Sequence, residues 1–389
     1  MTVAVFFGGK SCEHNISIIT GIQAMAALKG RHSVVPVYID NSGKFFTGYN
    51  LTSLDAFKSS NAGNKKYKRV PVFLAGGSNN LYNARGKVIA TIDAALLATH
   101  GYGGEDGCLQ GLLSLCGIPF TGSGVLASSC GMDKSVMKKL FIADGLPVLP
   151  YISFTKKEYK QQLYSLVEKI KSELTFPLIV KPTSGGSSIG ISVAKDFTEL
   201  FVAITAGFKW DNKIVIENAL TDYTEYNCAI LGSGNDLIVS AIERPLSSGE
   251  ILSYKDKYLS GNKSTKGSAS TRAIGAKLQT SKIGQASTKR EFPAHISKEL
   301  EQKIKTLSKK AFTSILASGV ARVDFLYDGT NLFVNEINTI PGALSNYLFT
   351  KGENKLTFIE LTDKLLQIAI DTKKEQNNLQ FIYESAYKF

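Results

Sequence analysis

The stretch ARVDFLYDGTNLFVNEINTIPG, residues 321–342, decides how the rest of the chain is read. Two strand-like runs, Ala321 to Asp328 and Leu332 to Asn338, flank Asp328-Gly329, a pair that favours a hairpin turn. Side chains alternate across a strand, so Arg322 and Asp324 share one face, as do Glu336 and Asn338. A three-residue loop, Gly329 to Asn331, sets Asp324 opposite Glu336. That pairing gathers Asp, Glu and Asn oxygens beside an arginine. Mg²⁺ is a hard ion that takes a few carboxylates and substrate phosphates. The other reading is the polar outer face of a sheet strand, and the hairpin alone does not choose between them. The stop at Thr339-Ile340-Pro341-Gly342 favours a site, because glycine lets a backbone N–H approach a ligand closely.

Around this hairpin, Cys228 to Leu231 and Leu237 to Ile242 read as strands, and Ile296, Leu300, Ile304, Leu307 and Ala311 follow helical spacing. Residues 245–293 are long, polar and irregular, which inside a compact domain is more often functional or mobile than accidental. Thr357 with Glu360 forms a capping box for a last helix, and the residues after Asp371 are predicted to be a weakly held tail. Further upstream, Lys134 to Phe141 and Lys156 to Leu174 read as helices. Leu178 to Lys181, Ile189 to Ala194 and Lys213 to Glu217 read as strands. The tip Pro182-Thr183-Ser184-Gly185-Gly186-Ser187-Ser188 exposes N–H and O–H donors suited to anionic oxygens, with Lys181 at the strand end. It is not a Walker A loop, and by itself a flexible turn is the plainer reading.

The N-terminus is a strand (Val3 to Phe7), a helix (Ile16 to Leu28) and a strand (Val34 to Ile39), the opening of a parallel α/β unit. Ala94 to Thr99 is another strand, ending at His100 and Gly101-Tyr102-Gly103-Gly104. In open α/β sheets ligands sit at the carboxyl ends of strands, where both glycine loops fall. The predicted division is an N-terminal α/β unit over 1–130, a central unit over 131–216, and a C-terminal unit over 217–389 whose loop, about 245–293, is a lid.

The bulk numbers exclude several classes. No stretch among the 389 residues approaches the roughly 18 uncharged apolar residues of a membrane span. No basic segment precedes the first strand, so cytoplasm is expected. Five scattered cysteines form no CxxC pair, which argues against zinc and a disulfide framework. The net charge of +12 comes from dispersed lysines with no nucleic-acid motif, so a solvated surface is expected, one that also suits a polyphosphate substrate.

Taken together, the segments resemble the D-alanine–D-alanine ligase family within the ATP-grasp fold. The matching stretches are Phe7 to Glu13, His100 to Gly111, Thr121 to Gly124, Met132-Asp133-Lys134, Val180-Lys181-Pro182 with Ser187-Ser188, Lys257 to Ser260, Arg322-Val323-Asp324, and Asn335 to Asn338 with Pro341-Gly342. Each alone is weak; the ordered set is specific. The resemblance implies a three-domain ligase, α/β with α+β ATP-grasp parts. It uses ATP and two Mg²⁺ ions, which Mn²⁺ can replace, to join two D-alanines through a D-alanyl phosphate. It implies peptidoglycan precursor synthesis by a homodimer, with no nucleic-acid or membrane partner. Lys134, Lys181 and Lys257 would serve ATP, Glu217 and Leu220 the adenine, and Glu225 the ribose. Asp324, Glu336 and Asn338 would hold the metal, and Arg322 and the Gly342 N–H the oxyanion. Glu13 would bind the first D-alanine's ammonium with His100 nearby, and Ser187 and Tyr258 would join Glu13 in a hydrogen-bonded chain under the lid.

Two positions depart from the family pattern. Counting from Gly342, Tyr347 stands where a serine usually binds the second substrate's carboxylate, which leaves D-lactate, D-serine or another amino acid as alternatives. The segment Thr221 to Tyr226 carries an extra residue beside Glu225. A non-catalytic ATP-binding protein is the alternative of another class. Competent residues at every lysine, arginine and metal position argue against it.

Overall fold

The structure is a computed structural model and describes residues 1–61, 63–246 and 290–380. Its first unit opens with β1 (Thr2–Gly8), α1 (His14–Leu28) and β2 (Ser33–Ile39). Strands β3 (Phe45–Thr47), β4 (Val70–Ala75), β5 (Ser78–Asn83) and β6 (Val88–Thr91) follow, then β7 (Ala94–Leu97). The sheet order is β6-β5-β4-β3-β2-β1-β7. Only β2-β1-β7 is parallel; β3 to β6 extend it antiparallel. The predicted parallel unit is thus its core. The extension went unread because its strands are short and polar: SNNLYN buries Leu81 alone. Helix α1 lies close on β1, since a Cβ at Gly21 would come within 2.5 Å of the Phe7 Cβ. Helices α2 (Cys108–Leu115) and α3 (Val125–Met132) complete the unit.

The second unit runs through α4 (Lys134–Ala143), β8 (Tyr151–Thr155), α5 (Lys156–Gln161), α6 (Leu163–Glu173), β9 (Leu178–Pro182), β10 (Ser192–Ala194), α7 (Phe197–Gly207) and β11 (Lys213–Asn218). Its antiparallel sheet has the order β10-β9-β11-β8 over a core of Ile152, Phe154, Val180, Leu200 and Ile214. The helix predicted over Lys156 to Leu174 is two, broken at Gln162 (φ −130°, ψ 30°). Strand β10 starts at Ser192 rather than Ile189, so the loop after β9 spans 183–191. Strand β11 keeps its pairing to Asn218, past the boundary drawn at 216.

The third unit holds β12 (Thr224–Ser233), β13 (Asp236–Pro245), β14 (Arg290–Glu291), α8 (Lys298–Ser314), β15 (Ser318–Tyr327), β16 (Leu332–Asn338) and α9 (Phe358–Asn377). The order β14-β13-β12-β15-β16 is antiparallel throughout. Asp324 does oppose Glu336, but by another route than a three-residue loop. Tyr327 pairs with Leu332 across a four-residue turn, Asp328 to Asn331, and a bulge at Asn335 restores the register. Bulges of this kind re-aim side chains beside functional sites. Thr357 and Glu360 make the predicted capping box. The predicted tail after Asp371 is instead helix to Asn377, where Asp371 accepts from Gln367 and pairs with Lys374 one turn away. Leu361, Leu365 and Leu366 of α9 pack into the core of the first unit with Phe6 and Leu96.

Candidate active site

One cavity is lined from all three units: Glu13, His100 and Glu105 from the first, Lys181 and Ser187 from the second, and Asp324, Glu336 and Gly342 from the third. Glu13 immediately precedes α1, and its side chain caps no helix N–H. It accepts instead from the Ser187 hydroxyl of the loop after β9. Two glycines make room for its carboxylate. A Cβ at Gly101, whose φ is +72°, would stand 2.9 Å from Glu13 Oε2, and one at Gly186 2.7 Å. Ser187 and Ser188 hold left-handed φ values of 51° and 59°, so this loop is shaped rather than slack. The Glu105 carboxyl lies nearby, and burial, then the Glu13 charge, push it up to about 8. His100 was expected to serve the substrate. It lines the cavity, but Ile340 O and Thr20 Oγ1 occupy both ring nitrogens at 2.9 and 2.8 Å. It supports the wall and offers the substrate no free nitrogen.

Two lysines, Lys134 and Lys181, also line the cavity, and a third, Lys138, is buried outside its lining. Lys134 Nζ donates to Gly185 O at 2.7 Å and lies 3.4 Å from Glu336 Oε2, tying the loop to the hairpin. Lys181 donates to Asn335 Oδ1, the bulged residue, at 3.3 Å. Glu217, placed at the adenine by the family pattern, lines this cavity too. Its carboxylate is fully buried and ion-paired between Lys181 and Lys138, the second at 2.8 Å. Lys138 was missed, although it follows Lys134 by four residues and so shares its helix face. Burial, then the neighbouring lysine charges, pull Lys181 down to about 7. Burial above all pulls Lys138 down to about 8. Leu220 and Glu225 line the same cavity.

On the hairpin, Arg322 donates from Nε and Nη2 to both Asp324 oxygens, at 2.6 and 2.7 Å. Burial opposes the guanidinium charge, but the Asp324 carboxylate outweighs it and holds Arg322 well above its ordinary value. Asn338 Nδ2 donates to Asp324 Oδ2 at 3.1 Å, which leaves the Asn338 oxygen for another partner. Among the described residues no three His, Cys, Asp or Glu side chains form a metal cage. Two carboxylates and an amide oxygen are, however, the partial donor set that Mg²⁺ accepts when substrate phosphates supply the rest.

Past Gly342 the chain makes a left-handed turn, with φ of 49°, 52° and 49° at Ala343, Leu344 and Ser345. Ser345 is fully buried and off the cavity wall, so it does not stand in for the serine that Tyr347 displaces. Tyr347 reaches the cavity and donates to Glu243 Oε1 at 2.6 Å. Burial, then the Glu243 charge, push its hydroxyl far up. Arg290 pairs with Glu243 Oε2 at 3.2 Å and lies over the Tyr347 ring. Glu243 and Arg290 were not picked out, because a lone charge at the end of a strand carries no local signal. Lys257 and Tyr258 lie outside the described residues.

Sheets from the second and third units flank one cleft lined by lysines and a carboxylate hairpin, the arrangement expected of an ATP-grasp fold. A family model described as the D-ala D-ala ligase N-terminus matches residues 2–123, and the C-terminus model of that family matches 140–289 and 277–367. A D-alanine--D-alanine ligase of Thermosipho melanesiensis is 33% identical, covering 97% of this chain and 95% of its own. One of Geobacillus thermodenitrificans is also 33% identical, covering 98% and 99%. The chain belongs to the D-alanine–D-alanine ligase family. Among solved structures, the VanG D-Ala:D-Ser ligase of Enterococcus faecalis is similar with a TM-score of 0.74 at 26% identity, covering 95% of this chain and 99% of that one. The D-alanine-D-alanine ligase of Coxiella burnetii shares the fold, with a TM-score of 0.77 at 24% identity over 97% and 96%.

Proposed function

We propose that the protein joins two D-alanines with ATP, forming D-alanyl-D-alanine, ADP and phosphate for peptidoglycan synthesis, as a cytoplasmic homodimer of three domains. The observation that carries this is the meeting in one cavity of the Glu13–Ser187 pair, the lysine cluster and the Arg322–Gly342 end of the hairpin. Lys134 and Lys181 hold the ATP phosphates, while Leu220 and Glu225 face the adenine and ribose. Asp324, Glu336 and Asn338 would hold Mg²⁺, which supplies charge neutralisation to the phosphate oxygens. Glu13 binds the ammonium of the first D-alanine and orients its carboxylate toward the γ-phosphate. Attack on the resulting acyl phosphate by the second amine builds an oxyanion that Arg322 and the Gly342 N–H stabilise. The chemistry rests on positioning and charge, with no covalent enzyme intermediate. By the family resemblance Lys257 would serve ATP and Tyr258 would join the Glu13–Ser187 pair.

The second substrate has a rival in D-serine, favoured by one feature. Tyr347 is engaged with Glu243, so the wall there presents a carboxylate able to accept a hydroxyl hydrogen bond. Incubation with ATP, MgCl₂ and D-alanine should release phosphate in step with dipeptide. Faster release on adding D-serine would reassign the second substrate. No release with any D-amino acid or D-lactate would overturn the ligase reading.

The lysine cluster gives a second expectation. At pH 8, above the value near 7 for Lys181, part of that group is neutral in the free protein. Bound phosphates favour its charged form, so ATP binding takes up protons, up to about one per site. At pH 6 the group is already charged and the uptake disappears. Calorimetric titration at pH 8 in buffers of different ionisation enthalpy reads this directly. A binding enthalpy independent of buffer would contradict it.

A further inference from the structure

Ile340 directly precedes Pro341-Gly342, and the loop after β7 grips its backbone on both sides. Its carbonyl accepts from His100 Nδ1 at 2.9 Å, and its N–H donates to Glu105 Oε1 at 3.2 Å. Glu105 Oε2 accepts from the Gly101 N–H at 2.7 Å, which fixes the carboxyl to its own loop. A carbonyl can only accept, so Nδ1 carries the ring hydrogen and Nε2 of the neutral ring is an acceptor. Thr20 Oγ1, 2.8 Å from Nε2, is therefore the donor. The same oxygen accepts the Ala343 N–H at 3.2 Å. Thr20 is 1% exposed on α1, the helix that begins one residue after Glu13. Gly342 is thereby bracketed: Ile340 and Ala343, on either side of Pro341-Gly342, are both tied to the unit that carries Glu13. Ala343 opens a run of three non-glycine residues in the left-handed region, a conformation that persists only where the surroundings over-determine it.

We propose that Thr20 is a positioning residue for the reaction. Its hydroxyl, acting with His100 and Glu105, fixes the height of the Gly342 N–H above the first-substrate pocket. The inference rests on the role given to Gly342 above. Preorganised donors lose their value when displaced by about an ångström, so a group that never touches substrate can still govern the rate. The bonds also join sequence positions far apart, so the oxyanion donor moves with the Glu13 helix rather than with its own strand.

The test compares Thr20→Val, which keeps the shape and removes the hydroxyl, with Thr20→Ser, which keeps the hydroxyl. Thr20→Val should lower kcat about tenfold or more while the KM for ATP stays within about twofold. Thr20→Ser should restore kcat. Hydrogen exchange of the Ala343 amide should speed up in Thr20→Val and return to the parent rate in Thr20→Ser. Unchanged kcat in Thr20→Val overturns the proposal. So does a parallel loss of kcat and ATP affinity, which marks a general loosening of the fold. If Thr20→Val does not fold, Thr20→Ser decides: a large loss of kcat there overturns the proposal. If the parent protein makes no dipeptide, the ligase reading fails by itself, and the Ala343 exchange rates still judge the clamp.

Discussion

Glu336→Ala removes turnover: phosphate release falls at least about a hundredfold while the protein stays folded. The fold should tolerate the change because the Glu336 side chain is 28% exposed, at the end of β16 on the cavity face. Its pairing with Lys134 at 3.4 Å is partly solvated, and such pairs contribute about 1 kcal/mol or less. The unfolding midpoint in urea should therefore hardly move. In the proposed reaction the same carboxylate matters far more, because it stands opposite Asp324, where a bound Mg²⁺ would neutralise the transferred phosphate. Near-normal phosphate release from Glu336→Ala at saturating Mg²⁺ would sink the metal assignment.

The largest stability effect is expected at Glu217→Ala. The side chains of Lys138 and Glu217 are 1% and 0% exposed, and Lys181 shares the same carboxylate. Removing Glu217 leaves two buried lysines facing each other without the carboxylate that pairs them. Breaking a buried pair in this way costs about 3–5 kcal/mol. Urea unfolding should show that loss, and ATP affinity should fall with it as the lysines shed their protons. Glu217→Gln should lie between, since the amide oxygen can still accept from one lysine. An unchanged midpoint in Glu217→Ala would mean that the carboxylate serves the nucleotide alone.

Much of this site was legible because its residues stand in short, ordered stretches. The hairpin faces followed from strand alternation, and Asp324 does meet Glu336. Yet the sequence reading reached that pairing through a loop one residue too short. A bulge is invisible in a pattern of alternating side chains, and here it compensated. Lys138, Thr20, Glu243 and Arg290 were not found, for one reason. Each acts through a partner distant in the chain, Glu217, His100, Tyr347 and Glu243 respectively, and only folding brings those pairs together. The antiparallel extension β3 to β6 was missed on weaker patterning still, since its strands bury few side chains. His100 and Glu217 both line the cavity, and folding gives each of them partners that no local pattern shows.

The packing of α9 against α1 and β7 has a consequence for biosynthesis. Leu361, Leu365 and Leu366 belong to the same core as Val3, Phe6 and Leu96. During synthesis the first sheet precedes the other two, yet part of its covering layer is translated only after the third sheet. Domain-by-domain maturation during synthesis therefore stops short here. The nascent first unit carries an open apolar face until α9 has been made, so the first of the three sheets waits on a helix that follows the third.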